Sequence, residues 1–198
     1  GITSSITQFI SCIGLLQSVI GGVTRAALYK PLAAKDSRGI SEVVNATSHF
    51  MKRIALIFVI FVLAFGALFP ALVSNEFDWL FTFSLVLILS IDTFAQYYFG
   101  FAYQMVVRAD QLMYVISIVR IIATIANTII AAILINVGCG IHVVKLGSAV
   151  VYALPPVFYN IWVKRKYHVD TRIEPKTDVL NQRWDAFGHQ VANFINTN

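Results

Sequence analysis

The sequence predicts an all-α protein, a polytopic membrane helix bundle of five transmembrane helices with the start of a sixth. Three observations carry that reading. Hydrophobic residues make up 58% of the 198 residues and charged ones only 13%, a mix too apolar for the surface of a soluble domain. Several uncharged runs reach the ~20 residues that cross a bilayer as helix. The links between runs are alternately rich and poor in Lys and Arg, as loops on the two sides of a membrane are. The formal charge of +5 is spread over those links, and no basic patch interleaved with aromatics points to nucleic acid. Cys12 and Cys139 lie far apart, in or beside apolar runs. They suggest neither a disulfide framework nor a metal site, and no motif asks for a cofactor.

The first run, residues 2–24, is uncharged; Ser4, Gln8, Ser11, Ser18, Gly22 and Arg25 recur at three- or four-residue steps. A stripe of small polar residues allows close helix approach in lipid, or lines a wet path. In the polar link that follows, Pro31 is expected to break the helix. Asp36 or Ser37 then caps a new one through Val43, Val44, Ala46 and Phe50. This helix, about 36–50, is amphipathic and basic and is expected to lie along the membrane surface.

The run 54–73 is uncharged and has no polar stripe, so much of its circumference is expected to face lipid. An acidic link with Glu76 and Asp78 leads to the run 79–107, opened by Trp79, a residue type that anchors at the interface. Asp92, Thr93, Gln96, Tyr97, Gly100, Tyr103 and Gln104 fall on roughly one helical face of it. Arg108-Ala109-Asp110-Gln111 turns the chain into the run 111–137, where Ser117, Arg120, Thr124, Asn127 and Thr128 again follow one face. After Gly138-Cys139-Gly140 comes the run 143–163, with Lys145, Ser148, Tyr152, Pro156 and Tyr159 on one side. Pro155 and Pro156 near its middle remove backbone donors and are expected to kink it, which membranes tolerate where neighbours or water satisfy the carbonyls. Lys164-Arg165-Lys166 closes the span. Gln182-Arg183-Trp184 opens a last helical pattern, about 182–198, too short to cross.

The bases cluster in alternate links: Arg25 to Arg53 in the first, Arg108 in the third, Lys164 to Arg183 in the last, with only acids in the second. That asymmetry places the Gly1 end outside and the Asn198 end on the cytoplasmic side of the cell membrane. The chain starts at Gly1 without an initiator Met and stops within a helical pattern, so it reads as part of a larger membrane protein.

Ionisable groups inside spans are costly and are kept for function, which singles out Asp92 and Arg120. Arg120 lies about nine residues past Gln111, roughly 14 Å along the helix, near mid-membrane. It either faces a polar path or pairs with Asp92, from which it differs in depth by roughly 10 Å. Asp92 is either a site for a coupling proton or sodium ion, or a carboxylate held by Gln96, tyrosines or Arg120. Gln96, Thr124 and Asn127 share the stripes of these two charges. Arg25 and Lys145 either guard the mouths of the path or are snorkelling end residues. Pro155 and Pro156 form either a hinge for alternating access or a packing kink.

Three stretches together carry a family resemblance: Leu28-Tyr29-Lys30-Pro31-Leu32-Ala33 followed by Asp36; Arg108-Ala109-Asp110-Gln111 with Tyr114; and Gln182-Arg183-Trp184-Asp185 with His189-Gln190. In order and spacing the chain resembles the polysaccharide-biosynthesis flippases, the O-antigen and capsule exporters of the multidrug/oligosaccharidyl-lipid/polysaccharide superfamily. The resemblance covers nearly the whole chain and rests on loop signatures rather than chemical motifs. It implies that the first run is the family's second helix and that a second lobe is missing. It also implies a central cavity, often cationic, opening alternately to each side, and an isoprenoid-diphosphate-linked oligosaccharide as substrate. No site residue carries over by motif. On that substrate, Arg120 would attract the diphosphate, since a guanidinium pairs with phosphate through a forked donor set. The partners implied are membrane lipids, the lipid-linked oligosaccharide and a coupling ion.

Two other functions compete. A drug or cation antiporter of the same superfamily would use Asp92, against which Arg120 and Lys145 argue. A membrane-embedded prenyl or glycosyl-phosphate enzyme needs clustered acids to hold Mg²⁺. The close pair in a short link, Glu76 and Asp78, lies on the expected outer side, so an enzyme is not expected.

Overall fold

The computed structural model describes residues 20–72 and 79–175, the side chains of 65–72, 79–82 and 85 excepted. Every regular element among them is helical. Helix α1 covers 20–33, α2 Ser37–Leu72, α3 Trp79–Ala95, then a π-helical turn Gln96–Gly100, α4 Phe101–Ala109, α5 Met113–Asn136 and α6 Ile141–Tyr167. Three of the described helices are long and apolar enough to cross a membrane: α2 over Ser37–Ala64, α5 and α6. The start of the first run, the acidic link with Glu76 and Asp78, and the pattern at 182–198 lie outside the described residues.

The stretch read as a surface helix at 36–50 and a separate span at 54–73 is one helix of 36 residues. At 1.5 Å per residue it is about 54 Å long, well beyond ~30 Å of hydrocarbon. Nothing between Phe50 and Ile54 breaks it, because Lys52 and Arg53 are good helix formers. Much of the segment is covered by protein: Ile40, Val44 and Ala46 are buried, and so are Ser41, Asn45 and Thr47. Those polar groups find partners within the protein. Thr24 and Thr47 pair through their hydroxyls at 3.2 Å. Asn45 Nδ2 donates to the carbonyls of Asp170 and Ile173 at 2.9 and 2.8 Å, and the Asp170 N–H donates to Ser41 Oγ at 3.0 Å. The chain beyond α6 is thereby pinned to α2.

Pro31 does not break α1, which continues to residue 33; a proline this near the end forfeits little. Lys35, with φ 51, makes the corner, and Asp36 caps α2 by accepting the Arg38 N–H at 3.0 Å. Pro155 and Pro156 likewise leave α6 helical from end to end, although the carbonyls a turn before them lose their N–H donors.

Helix α6 touches most of the other described elements. It packs on α3 and α5 on two sides, and also meets the π turn and α4; α2 covers the far side of α3, the π turn and α4. The π turn closes when the Phe101 N–H reaches back to the Gln96 carbonyl. There α6 comes unusually near: a Cβ on Gly100 would stand 2.6 Å from the Pro156 Cβ and 2.9 Å from its Cα. Asn160 Nδ2 donates to the Phe99 carbonyl at 3.2 Å, fixing the same junction. At the other end of α6, Ser84 Oγ and His142 Nε2 meet at 2.8 Å.

The turn between α4 and α5 uses Gln111 at φ 59, and the Leu112 N–H donates to the Val107 carbonyl at 2.9 Å. Tyr167 donates its OH to Asp110 Oδ2 at 2.5 Å, with Lys166 Nζ 3.8 Å from the same oxygen. The turn is thus tied to the end of α6. Leu28, Val44, Val106, Val107 and Val163 are completely buried at this basic end. Large exposed apolar side chains begin on α2 at Leu56, just past Lys52-Arg53, and stop on α6 at Ile161, just before Lys164. Apolar groups beyond that edge need protein to cover them, whereas lipid can cover those on the other side.

Candidate functional site

Between the α3–π–α4 rod, α5 and α6 lies an open cleft of about 720 Å³. The rod contributes Asp92 and Thr93 before the π turn, Gln96 within it, then Gln104, Met105 and Arg108 after it. Helix α5 contributes Ile116, Arg120, Ala123 and Thr124, and α6 contributes Tyr152, Pro155, Pro156 and Tyr159. The fold therefore gathers Asp92, Gln96, Arg120, Thr124, Pro155 and Pro156, all picked from sequence, around one hollow.

The remaining candidates stand elsewhere. Asn127 is not among the cleft residues, and its Oδ1 is buried without a hydrogen-bond partner. Arg25 turns back along α1, its Nε donating to the Gly21 carbonyl at 3.2 Å. Lys145 is exposed on the first turns of α6 and is not a cleft residue.

The charges in the cleft are differently engaged. Asp92 Oδ1 accepts from the Thr93 N–H at 2.7 Å and from its hydroxyl at 3.3 Å. The ion pairs among the described residues are Arg38–Glu42 and Lys166–Asp110, so Asp92 and Arg120 do not pair. Gln96 Nε2 donates to Gln104 Oε1 at 2.8 Å, bridging the π turn. Thr124 and Thr128 donate their hydroxyls to the carbonyls one turn back, at 2.9 Å each, a local bond that leaves oxygen lone pairs facing outward. Tyr159, buried, donates to the Ile116 carbonyl at 3.4 Å.

Arg108 is the residue that sequence reasoning missed. It reads as a loop base, but it ends α4 and lines the cleft, with its Nε buried and without a hydrogen-bond partner. The signal was present: Gln96, Gly100, Gln104 and Arg108 recur at four-residue steps. The π turn adds a residue to its repeat, so Phe101 and Met105 join the lining while two tyrosines of the expected face leave it. Tyr97 packs edge-on against Phe58 at 5.8 Å between centroids, and Tyr103 lies under Lys164 Nζ at 5.4 Å.

Two smaller hollows flank α5. One, of about 380 Å³, is lined by Ser117, Ile121 and Ile125 and shares Arg120 and Thr124 with the main cleft. The other, of about 390 Å³, is apolar and shares Ala123 and Pro155 with it. Arg120 thus stands on the rim between two hollows. Comparison with protein families, curated proteins and solved structures gives no match.

Proposed function

We propose that the chain is one lobe of a membrane transporter, a flippase that moves isoprenoid-diphosphate-linked oligosaccharides across the cell membrane for surface polysaccharide synthesis. The observation that carries this reading is the cleft: a hollow of about 720 Å³ among helices of membrane-spanning character, holding Arg120 with no ion-pair partner among the described residues. An enzyme's catalytic grouping is not needed to use such a site; it binds and releases. In this reading the bundle has five spans and the start of a sixth, with the Gly1 end outside and the Asn198 end cytoplasmic. The diphosphate meets Arg120, the glycan meets Gln96, Gln104 and Thr124, and a second lobe completes the cavity. Asp92 takes the coupling ion, and the Pro155-Pro156 segment flexes as the lobe alternates.

The test is complementation of a strain lacking its flippase with the full-length gene and with Arg120→Ala. Restored surface glycan with the wild type and at least a tenfold loss in the variant support the reading. Full surface glycan in the variant removes Arg120 from transport. Asp92 favours a second reading, a cation or drug antiporter, because a carboxylate in the same cleft attracts cations. Drug resistance conferred by the wild type and abolished by Asp92→Asn, with no glycan phenotype, would select it.

A further inference from the structure

We propose that the aromatic face of the α3–π–α4 rod, where Lys52 of α2 and Lys164 of α6 reach it, is a seat for an anionic phospholipid at the membrane edge. None of the residues that build it lines the main cleft, so the seat stands whether or not the cleft carries cargo.

Three rings form the face. Phe94 and Tyr98 stack at 5.4 Å between centroids, and Phe99 meets Tyr98 edge-on at 4.8 Å. Tyr98 and Phe99 are exposed, although the π turn that carries them packs against both α2 and α6. Two cations approach the rod from those two helices. Lys52 Nζ of α2 stands 5.3 Å from the centre of the Tyr98 ring, and Lys164 Nζ of α6 stands 5.4 Å from that of Tyr103. Asn160, one turn before Lys164, is bonded to the Phe99 carbonyl, and Phe99 is one turn before Tyr103. Lys164 and Phe99 therefore belong to one seam. Tyr98 and Tyr103 are five residues apart, a rise of roughly 7 Å.

Charge and depth select the occupant. A ring face attracts an ammonium group electrostatically and leaves N–H donors free for an oxyanion. The ion pairs among the described residues use Arg38 and Lys166, not Lys52 or Lys164. Two cations thus stand at one aromatic face with no carboxylate paired to either. Their level is that of lipid head groups. Exposed apolar side chains begin on α2 at Leu56, one turn past Lys52, and stop on α6 at Ile161, just before Lys164. Arg53 and Arg165, both exposed, add positive charge there. Bases at that depth attract anionic lipids, and tyrosine is at home there. An acyl chain of the same lipid covers Phe94 and Phe99, on the bilayer side of Tyr103. A soluble anion would use the lysines and leave those rings bare.

The test is native mass spectrometry of the full-length protein in detergent, offered equal amounts of phosphatidylglycerol and phosphatidylcholine with the same acyl chains. Phosphatidylglycerol is expected to be retained at least fivefold over phosphatidylcholine. Lys52→Gln and Lys164→Gln should each cut that preference at least threefold, and Lys164→Arg, which keeps the charge, should preserve it. Lys52 is exposed, so its glutamine variant keeps the test decisive where Lys164→Gln does not fold. Arg38→Gln removes an exposed base that already has a partner in Glu42 and should leave the preference unchanged. Equal retention of the two lipids, wild-type preference in Lys52→Gln, or an equal loss in Arg38→Gln overturns the seat. A second arm adds glycerol 3-phosphate in large excess. Phosphatidylglycerol that stays bound supports a lipid held by head and chain together, and its displacement by the free anion overturns the lipid assignment.

Discussion

Replacing Gly100 by Ala tests whether the contact between the π turn and α6 is structural bedrock. The added methyl would lie 2.6 Å from the Pro156 Cβ and 2.9 Å from the Pro156 Cα. Carbon atoms rest at about 3.5–4.0 Å, so the two backbones must part by about 1 Å. The proline ring cannot rotate out of the way, because it is part of the backbone. Overpacking of this kind costs about 1–3 kcal/mol, against which alanine regains about 0.5–1 kcal/mol over glycine in a helix. Taken at mid-range, the net loss is about 1 kcal/mol. At about 2–4 °C per kcal/mol for a chain of this size, the unfolding midpoint should fall by about 2–4 °C. Gly22 is the control with the opposite sign: it is helical, and nothing lies within 4 Å of its added Cβ. Gly22→Ala should therefore gain about 0.5–1 kcal/mol and raise the midpoint by about 1–4 °C. The assay is thermal unfolding of the purified full-length protein in detergent, read by size-exclusion chromatography. Shifts of the same sign in the two variants, or an unmoved midpoint for Gly100→Ala, would refute the packing argument.

Single cysteines at Thr124 and Asn127 should react unequally with a membrane-impermeant thiol reagent, fast at 124, which lines the cleft, and slowly at 127, which does not; equal rates contradict the placement. Asn45→Ala strands the carbonyls of Asp170 and Ile173, a loss of about 1–3 kcal/mol. It should speed proteolytic cutting between 168 and 175, and an unchanged cutting pattern counts against the clamp. Gln111→Gly relieves a left-handed backbone at φ 59. It should stabilise by about 0.5–1 kcal/mol, which a lower midpoint would contradict.

The helices were legible where the apolar runs are long and carry at most one charge. The run 111–137 became α5 almost residue for residue, and 143–163 sits inside α6. The joining of 36–50 to the next run in one helix was not legible, and an amphipathic pattern cannot say what covers its polar side. Ser41 and Asn45 face a chain segment more than a hundred residues away, and no local signal announces that. Pro31 was expected to break a helix that in fact continues to residue 33, since one lost donor is small beside the packing of a helix, and α6 stays helical through Pro155-Pro156, where a kink was expected. The cleft was half readable. Asp92, Gln96, Arg120 and Thr124 stood out as polar groups in apolar runs, whereas Arg108 was hidden by its place beside a turn. The π turn had no sequence mark beyond Gly100 and a change of polar face.

An α-helical residue advances the chain by about 100° around the axis, so the surplus residue in Gln96–Gly100 sets the angular phase between the two halves of the rod. An in-frame deletion of one codon there would do more than shorten the helix. It would swing Trp79–Ala95 by about a quarter turn relative to Phe101–Ala109, carrying Asp92 away from the side on which Arg108 stays. The same rod can thereby bring its acidic and basic residues onto one side, or part them, without a single side chain being exchanged.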